Sequence, residues 1–149
     1  LIEAKKLGVP VRIIHNASIL SAIGEIGLEL YKFGKTVSVP FENKEVSSPL
    51  EGIRLNLEND YHTLVLLDLD PAKRRYMTIP QAIDYLLKRE LDDELLGVGI
   101  AGLGSKNPEI KSGKLHQLHN RIWIQIPQCL IICSKELHFM EEEALKLWK

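Results

Sequence analysis

His62-Thr63-Leu64-Val65-Leu66-Leu67-Asp68 is the stretch on which the fold reading turns. It is a near-continuous apolar run, too short for a core helix and bounded by polar residues. That pattern predicts a β-strand in an interior position of a sheet with both faces covered. Downstream, Asp68 to Met77 is charged and reads as a loop. Thr78 then caps a helix, with Pro80 in its first turn and Ala82, Ile83, Leu86 and Leu87 at helical spacing. Upstream, residues 42–60 are charged and rich in Pro and Asn, with room for one short helix near Leu50 to Asn59. Lys35 to Phe41 alternates apolar and polar residues around Val37 and Val39, as a strand does.

Further out, Val11-Arg12-Ile13-Ile14-His15 is a short β-branched run and predicts a strand. Asn16 or Ser18 can cap a following helix that carries Ile19, Ile23 and Ile26. The glycines of that helix lower its propensity, which suggests something packed close against the backbone. On the carboxyl side, Gly97 to Gly104 reads as a strand entering a glycine-lined turn. Leu115 and Leu118 mark a short helix. Trp123 to Ile126 suggests part of a strand, and Cys129 to Cys133 is a stronger one. Leu137 to Trp148 closes as a helix with Met140, Ala144, Leu145 and Trp148 on one stripe. Strands alternate with helices, yet several connections are short enough for antiparallel pairing, so the expected class is a mixed α/β domain.

The chain has 149 residues, enough for one ordinary domain with a sizeable core. Its 19 Lys and Arg against 20 Asp and Glu leave a formal charge of −1, which argues against a protein that holds nucleic acid by charge alone. No apolar run is long enough for a membrane helix. The opening Leu1 to Pro10 has no signal-peptide pattern. It reads as the second half of an amphipathic helix stopping at Gly8 and Pro10, which suggests a piece of a longer polypeptide.

Several constellations of residues bear on chemistry. Gly97-x-Gly99-x-x-Gly102 matches the dinucleotide fingerprint by spacing but lies inside a strand-like run instead of opening a helix, so the expected reading is a strand with small residues where something approaches closely. His116 and His119 share a helix face, but no third ligand stands at a recognisable spacing. Cys129 and Cys133 on one strand lie about 13 Å apart and cannot chelate one ion. Ser18 and Ser21 lack the flanking glycines of a nucleophile elbow; Ser18 is better suited to capping or ligand contact at a helix start. Asp68 and Asp70 with Lys73, Arg74, Arg75 and Tyr76 follow the best strand, where α/β proteins favour ligands, although a solvated loop explains them as well.

His15-Asn16-Ala17-Ser18-Ile19 and Leu30-Tyr31-Lys32-Phe33-Gly34 resemble the diphthine synthases, S-adenosylmethionine-dependent methyltransferases of diphthamide biosynthesis. The resemblance continues through His62-Thr63-Leu64, Leu66-Leu67-Asp68, Arg75-Tyr76-Met77-Thr78, Gln81-Ala82, Gly99-Ile100-Ala101 with Gly104, Gly113, and Leu137-His138 with Glu141 and Glu143. It covers nearly the whole chain in order and matches the family's carboxy-terminal part. The fold implied is the mixed-sheet second domain of the tetrapyrrole methylase-like (class III) methyltransferases. Residues 1–16 are then the tail end of a first domain and residues 17–149 the second domain.

The family holds S-adenosyl-L-methionine, and its product S-adenosyl-L-homocysteine, in the cleft between the two domains. Carried over, the resemblance implies cofactor contacts at Ser18, Ile19, Leu67 and Leu103, and at Gln128 or Cys129, where the family has a His that this chain lacks. A second departure falls at Phe41-Glu42-Asn43, where the family tends to have an aromatic. The implied acceptor is the modified histidine of elongation factor 2, in a cytoplasmic homodimer with no direct nucleic-acid or membrane partner. Methyl transfer needs orientation and exclusion of water more than an acid–base pair, so no catalytic residue is assigned. The alternatives are a non-catalytic interaction module of the same fold and a tetrapyrrole methyltransferase. As an isolated piece, the chain is expected to be inactive and self-associating.

Overall fold

The structure, a computed structural model, describes residues 1–41 and 46–149; the departure expected at Glu42 and Asn43 lies outside the described residues. In chain order the elements are α1 (Ile2–Lys6), α2 (Ile19–Ala22), β1 (Val37–Val39), α3 (Ser48–Glu58), β2 (Thr63–Leu67), β3 (Leu69–Asp70), β4 (Arg75–Tyr76), α4 (Ile79–Leu87), β5 (Leu96–Ala101), β6 (Glu109–Lys114), α5 (Leu115–His119), β7 (Gln128–Ile132) and α6 (Phe139–Lys146). Five strands form one sheet in the order β1-β2-β7-β5-β6. β1 and β2 are parallel, and the other neighbours are antiparallel. β2 is paired on both sides, as its unbroken apolar run predicts.

Alternation along the strands sends side chains to two cores. Val65, Leu67, Leu130 and Ile132 face a layer made by α3, α4 and α5, where Ile53, Ile79, Ile83, Leu86 and Leu115 are fully buried. Leu64, Val98, Ile100, Cys129 and Ile131 face the opposite layer, with Ile23, Ile26, Leu28 and Leu145 of α6. Each such aliphatic side chain contributes about 1.5–3 kcal/mol by leaving water. α4 starts where expected: the Gln81 side chain accepts from Thr78 N at 3.0 Å, and Thr78 Oγ1 accepts from Gln81 N at 3.4 Å, closing a capping box.

The glycine motif has a packing explanation. On β5, Val98 and Ile100 fill one core while Gly97 and Gly99 face the other. A Cβ on Gly99 would lie 2.4 Å from the Trp123 ring, and one on Gly97 3.0 Å from Leu115. The close approach expected there is made by α5 and Trp123, not by a nucleotide.

Several expectations need correction. Val11 to His15 forms no strand: the chain from residue 9 to 18 has no regular structure, and Ile13 and Ile14 are 65% and 80% exposed. A strand needs a ladder partner, and none of the described residues provides one. Asp68 to Met77 is not a plain loop but contains the hairpin β3–β4, closed by Asp70, whose side chain accepts from Lys73 N at 3.2 Å. Trp123 to Ile126 is not a strand, because Ile124 N and Gln125 N donate to the Glu109 carboxylate instead. β6 escaped the sequence reading; it is an edge strand whose single aliphatic residue is Ile110. The helix after Ser18 is one α-turn continued by a 3-10 turn, Ile23–Ile26, and ends at Gly27 against Ala144 of α6. Met140 is exposed, and the buried positions of α6 are Glu141 and Leu145.

Glu141 is buried because its carboxylate is fully used. Oε1 accepts from Glu29 N at 2.9 Å and His62 Nε2 at 2.8 Å, and Oε2 accepts from His138 N at 2.9 Å. Lys32 Nζ lies 3.7 Å away and also pairs with Asp60 at 3.4 Å. His62 Nδ1 accepts from Ser134 N at 2.9 Å, so Nε2 carries the proton and the ring is neutral. Burial lowers the His62 pKa, outweighing the raising effect of Glu141. Burial alone would raise the pKa of Glu141, but the Glu29 and His138 amides and His62 hold it below the usual carboxylate value.

Candidate functional site

β1, β2 and β5 end on the same edge of the sheet, and β7 begins there. A cavity of about 330 Å³ opens at this edge. Leu66, Leu67, Asp68 and Leu69 line it from the end of β2, and Ile100 and Leu103 from β5 and its turn. Pro127, Gln128 and Cys129 line it from the start of β7, with Ile19 of α2 and Ser38 of β1. Ligands of open α/β sheets collect at this end of the strands, because the diverging loops leave a crevice there.

Local chemistry explains how each wall is held. Gly102 has φ +65°, and a Cβ there would lie 2.8 Å from Gln125. That left-handed turn lets Gly102 N donate to Pro127 O at 2.9 Å and carries Leu103 to the cavity. Asp68 is anchored by two amides, Phe41 N at 3.2 Å and Leu69 N at 2.9 Å. The Cys129 thiol is pushed up to about 12 by burial, so it forms a neutral, inert wall. Among the described residues, every buried side-chain nitrogen or oxygen has a partner. A polar ligand would therefore be recognised through backbone groups and the exposed rim.

Of the six residues singled out from the sequence, Ile19, Leu67, Leu103, Gln128 and Cys129 line this cavity, whereas Ser18 does not. Ser18 is exposed and caps α2, its N–H donating to Ser21 Oγ at 3.3 Å while Ser21 Oγ donates to Ser18 O at 3.0 Å. Gln128 reaches the wall with a committed amide: Oε1 accepts from Ile79 N at 2.8 Å and Nε2 donates to Gln125 O at 2.9 Å. The side chain thus ties the start of α4 to the turn before β7. Asp68, flagged with its charged neighbours, is on the wall. Ser38, Leu66, Ile100 and Pro127 were missed; only the strand order brings them together.

The histidines do not converge. His116 Nδ1 lies 3.2 Å from Glu94, and His119 Nε2 lies 2.9 Å from Asp84. Asp93, Glu94 and His116 form a surface group within 4.8 Å. Glu94 is also paired with Lys114, which lowers the Glu94 pKa and neutralises the charge a cation would need.

The mixed five-stranded sheet with its helix layers has the tetrapyrrole methylase-like fold. A crystal structure of a diphthine synthase superposes with a TM-score of 0.91 at 36% identity, covering 99% of this chain and 57% of that one. A candidate diphthine synthase of Entamoeba histolytica superposes with a TM-score of 0.93 at 36% identity, covering 99% and 63%. The diphthine synthase of Methanosphaera stadtmanae is 45% identical over 97% of this chain and 58% of its own length. The chain is a homologue of the diphthine synthases, as the sequence resemblance implied. It spans about 58–60% of the length of the curated relatives it matches. No protein-family profile matches it. Among the described residues, no helix is long and apolar enough to cross a membrane.

Proposed function

We propose that this chain is the cofactor-binding second domain of a methyltransferase of the diphthine synthase type, with residues 17–149 as that domain and residues 1–16 as the run-in from the first. The observation that carries the reading is the meeting of Ile19, Leu67, Leu103, Gln128 and Cys129 in one cavity. Its size falls in the range of small-molecule sites. The residues fit S-adenosyl-L-methionine: aliphatic walls suit the adenine ring and the methionine carbons. Asp68, the one charged residue among the described lining residues, complements a cationic sulfonium.

When bound, the cofactor supplies an activated methyl group. The chain's own residues bind and orient it and keep water from it: Leu67, Leu103 and Cys129 as walls, and Ile19 from the start of α2. Gln128 supports the wall through Ile79 and Gln125 instead of contacting the ligand with its amide. The acceptor is the modified histidine of elongation factor 2, whose amine needs no dedicated base if it arrives deprotonated. The working enzyme is a cytoplasmic homodimer. The chain alone is inactive and binds the cofactor at least about tenfold more weakly (about 1.4 kcal/mol) than a full-length relative. The apolar, exposed Ile2, Leu7, Ile13 and Ile14 make it self-associate.

Calorimetric titration of S-adenosyl-L-homocysteine into this chain and into the full-length Methanosphaera stadtmanae relative tests the reading. Filling the cavity with Leu103→Trp should abolish measurable binding at an unchanged melting temperature. Ser18→Ala should cost on the order of 1 kcal/mol at most. Unaltered binding in folded Leu103→Trp would overturn the assignment.

A further inference from the structure

Residues 120–127, between α5 and β7, belong to no helix or strand, yet Pro127 and the adjoining Gln128 line the cavity. Burial does little to hold this strap: Ile122, Ile124 and Ile126 are 84%, 77% and 51% exposed. Two fastenings do the holding. The half-buried Trp123 lays its ring against Gly99 and donates Nε1–H to Leu118 O at 3.2 Å. The Glu109 carboxylate of β6 accepts from Gln125 N at 2.9 Å and from Ile124 N at 3.2 Å. Glu109 itself is not among the described residues that line the cavity.

Gln125 passes this grip on to the cavity wall. Its carbonyl accepts from Gln128 Nε2 at 2.9 Å, and Gln128 Oε1 accepts from Ile79 N at 2.8 Å, so a chain of hydrogen bonds runs from β6 through the strap to the start of α4. Beside it, Pro127 O accepts from Gly102 N at 2.9 Å, and the Gln125 side chain fills the space next to Gly102. The turn that delivers Leu103 therefore leans on the strap. We infer that Glu109 is a positioning residue for the cavity: it fixes the strap, and through the strap it sets Leu103, Pro127 and Gln128 at the spacing the cofactor fills. This rests on the reading above that the cavity holds S-adenosyl-L-methionine. Two amides on one carboxylate are charge-assisted bonds, stronger than water would replace on an exposed segment. Without them the strap spends part of its time away from the wall, and a site formed only part of the time binds with its affinity reduced by that fraction. A wall formed about a tenth to a third of the time weakens the cofactor about three- to tenfold.

The test combines calorimetric titration of S-adenosyl-L-homocysteine with amide hydrogen exchange followed by NMR. Glu109→Ala should weaken the ligand about three- to tenfold, and the Gln125 amide should exchange at least about tenfold faster than in the unaltered chain. Glu109→Gln should restore the affinity to within about twofold, because one amide oxygen at the Oε1 position can accept from both Ile124 N and Gln125 N. Ser112→Ala separates positioning from mere stability. It removes a hydrogen bond of the same strand, Ser112 Oγ to Leu145 O at 2.7 Å, on the side of α6. It should lower the melting temperature and leave the affinity unaltered. Equal affinity in Glu109→Ala and the unaltered chain overturns the proposal and leaves the cavity assignment standing. A loss matched by Ser112→Ala, or one that Glu109→Gln does not repair, overturns it as well. Absence of binding to the unaltered chain would refute the cavity assignment, and the role given to Glu109 would fall with it.

Discussion

Glu141→Gln should destabilise the protein far more than an isosteric surface change. The carboxylate receives three donors, Glu29 N, His62 Nε2 and His138 N, at 2.8–2.9 Å. An amide placed there has one acceptor and one donor end. With the NH₂ at the Oε2 position it meets the His138 N–H; turned over, it meets the Glu29 N–H and the His62 N–H. His62 cannot adapt by shifting its proton, because Nδ1 already accepts from Ser134 N. At least one hydrogen bond to a charged acceptor is lost, worth about 1.5–3 kcal/mol, and a buried donor is left facing another. The expected loss is about 2–4 kcal/mol, a large share of a typical domain's stability of about 5–15 kcal/mol. Urea unfolding followed by tryptophan fluorescence measures it, since Trp148 beyond α6 donates Nε1–H to Ile26 O at 2.9 Å and reports on the same layer. A loss under about 0.5 kcal/mol would show that the pair is not the tether described here.

Acid should weaken the fold in two stages. The folded pKa of His62 is depressed from 6.5, so below that pH the unfolded chain takes up a proton that the folded chain refuses, and stability falls. Glu141 is depressed from 4.5 and adds its own loss below that value. His62→Gln should flatten the stability profile between about pH 7 and pH 5, and an unchanged slope would contradict the assigned ring state. Gly99→Ala puts a methyl into the Trp123 ring and should cost about 1–3 kcal/mol in thermal unfolding; a neutral substitution would mean that Trp123 does not hold that position. Cys129 and Cys133, both pushed up to about 12 by burial, should react with a thiol reagent at neutral pH only as fast as the chain unfolds, and immediate labelling of the native protein would contradict their burial.

The elements that announced themselves carry their own signals. β2 is an apolar run, α4 has Thr78, Pro80 and Gln81 at its start, and β7 is branched and aliphatic. β6 is Glu-Ile-Lys-Ser-Gly-Lys, a sequence made a strand by its neighbour β5 and not by propensity. Val11 to His15 shows the converse, a β-prone run with nothing described to pair with. The cavity was legible only through family resemblance, because Leu67, Leu103 and Cys129 look like any core residues until strand order brings them to one edge. Glu141 was hidden for a similar reason: a Glu in an amphipathic helix reads as solvent-facing unless its three donors, two of them distant in sequence, are known.

The strand at the middle of the sheet is the last strand to be made. While the chain is being synthesised, β2 and β5 each present an unpaired interior edge until residues 128–132 emerge, and α6 is fastened across 79 residues by Glu141 to His62. Partly synthesised chains of this design carry two sticky edges that no charge or proline blunts, since Leu64-Val65-Leu66 and Val98-Gly99-Ile100 lie open until Leu130 and Ile131 arrive. Folding is therefore committed late and by long-range contacts, which slows it and exposes the nascent chain to aggregation. A premature stop anywhere before Gln128 removes not one strand but the keystone that both halves of the sheet share.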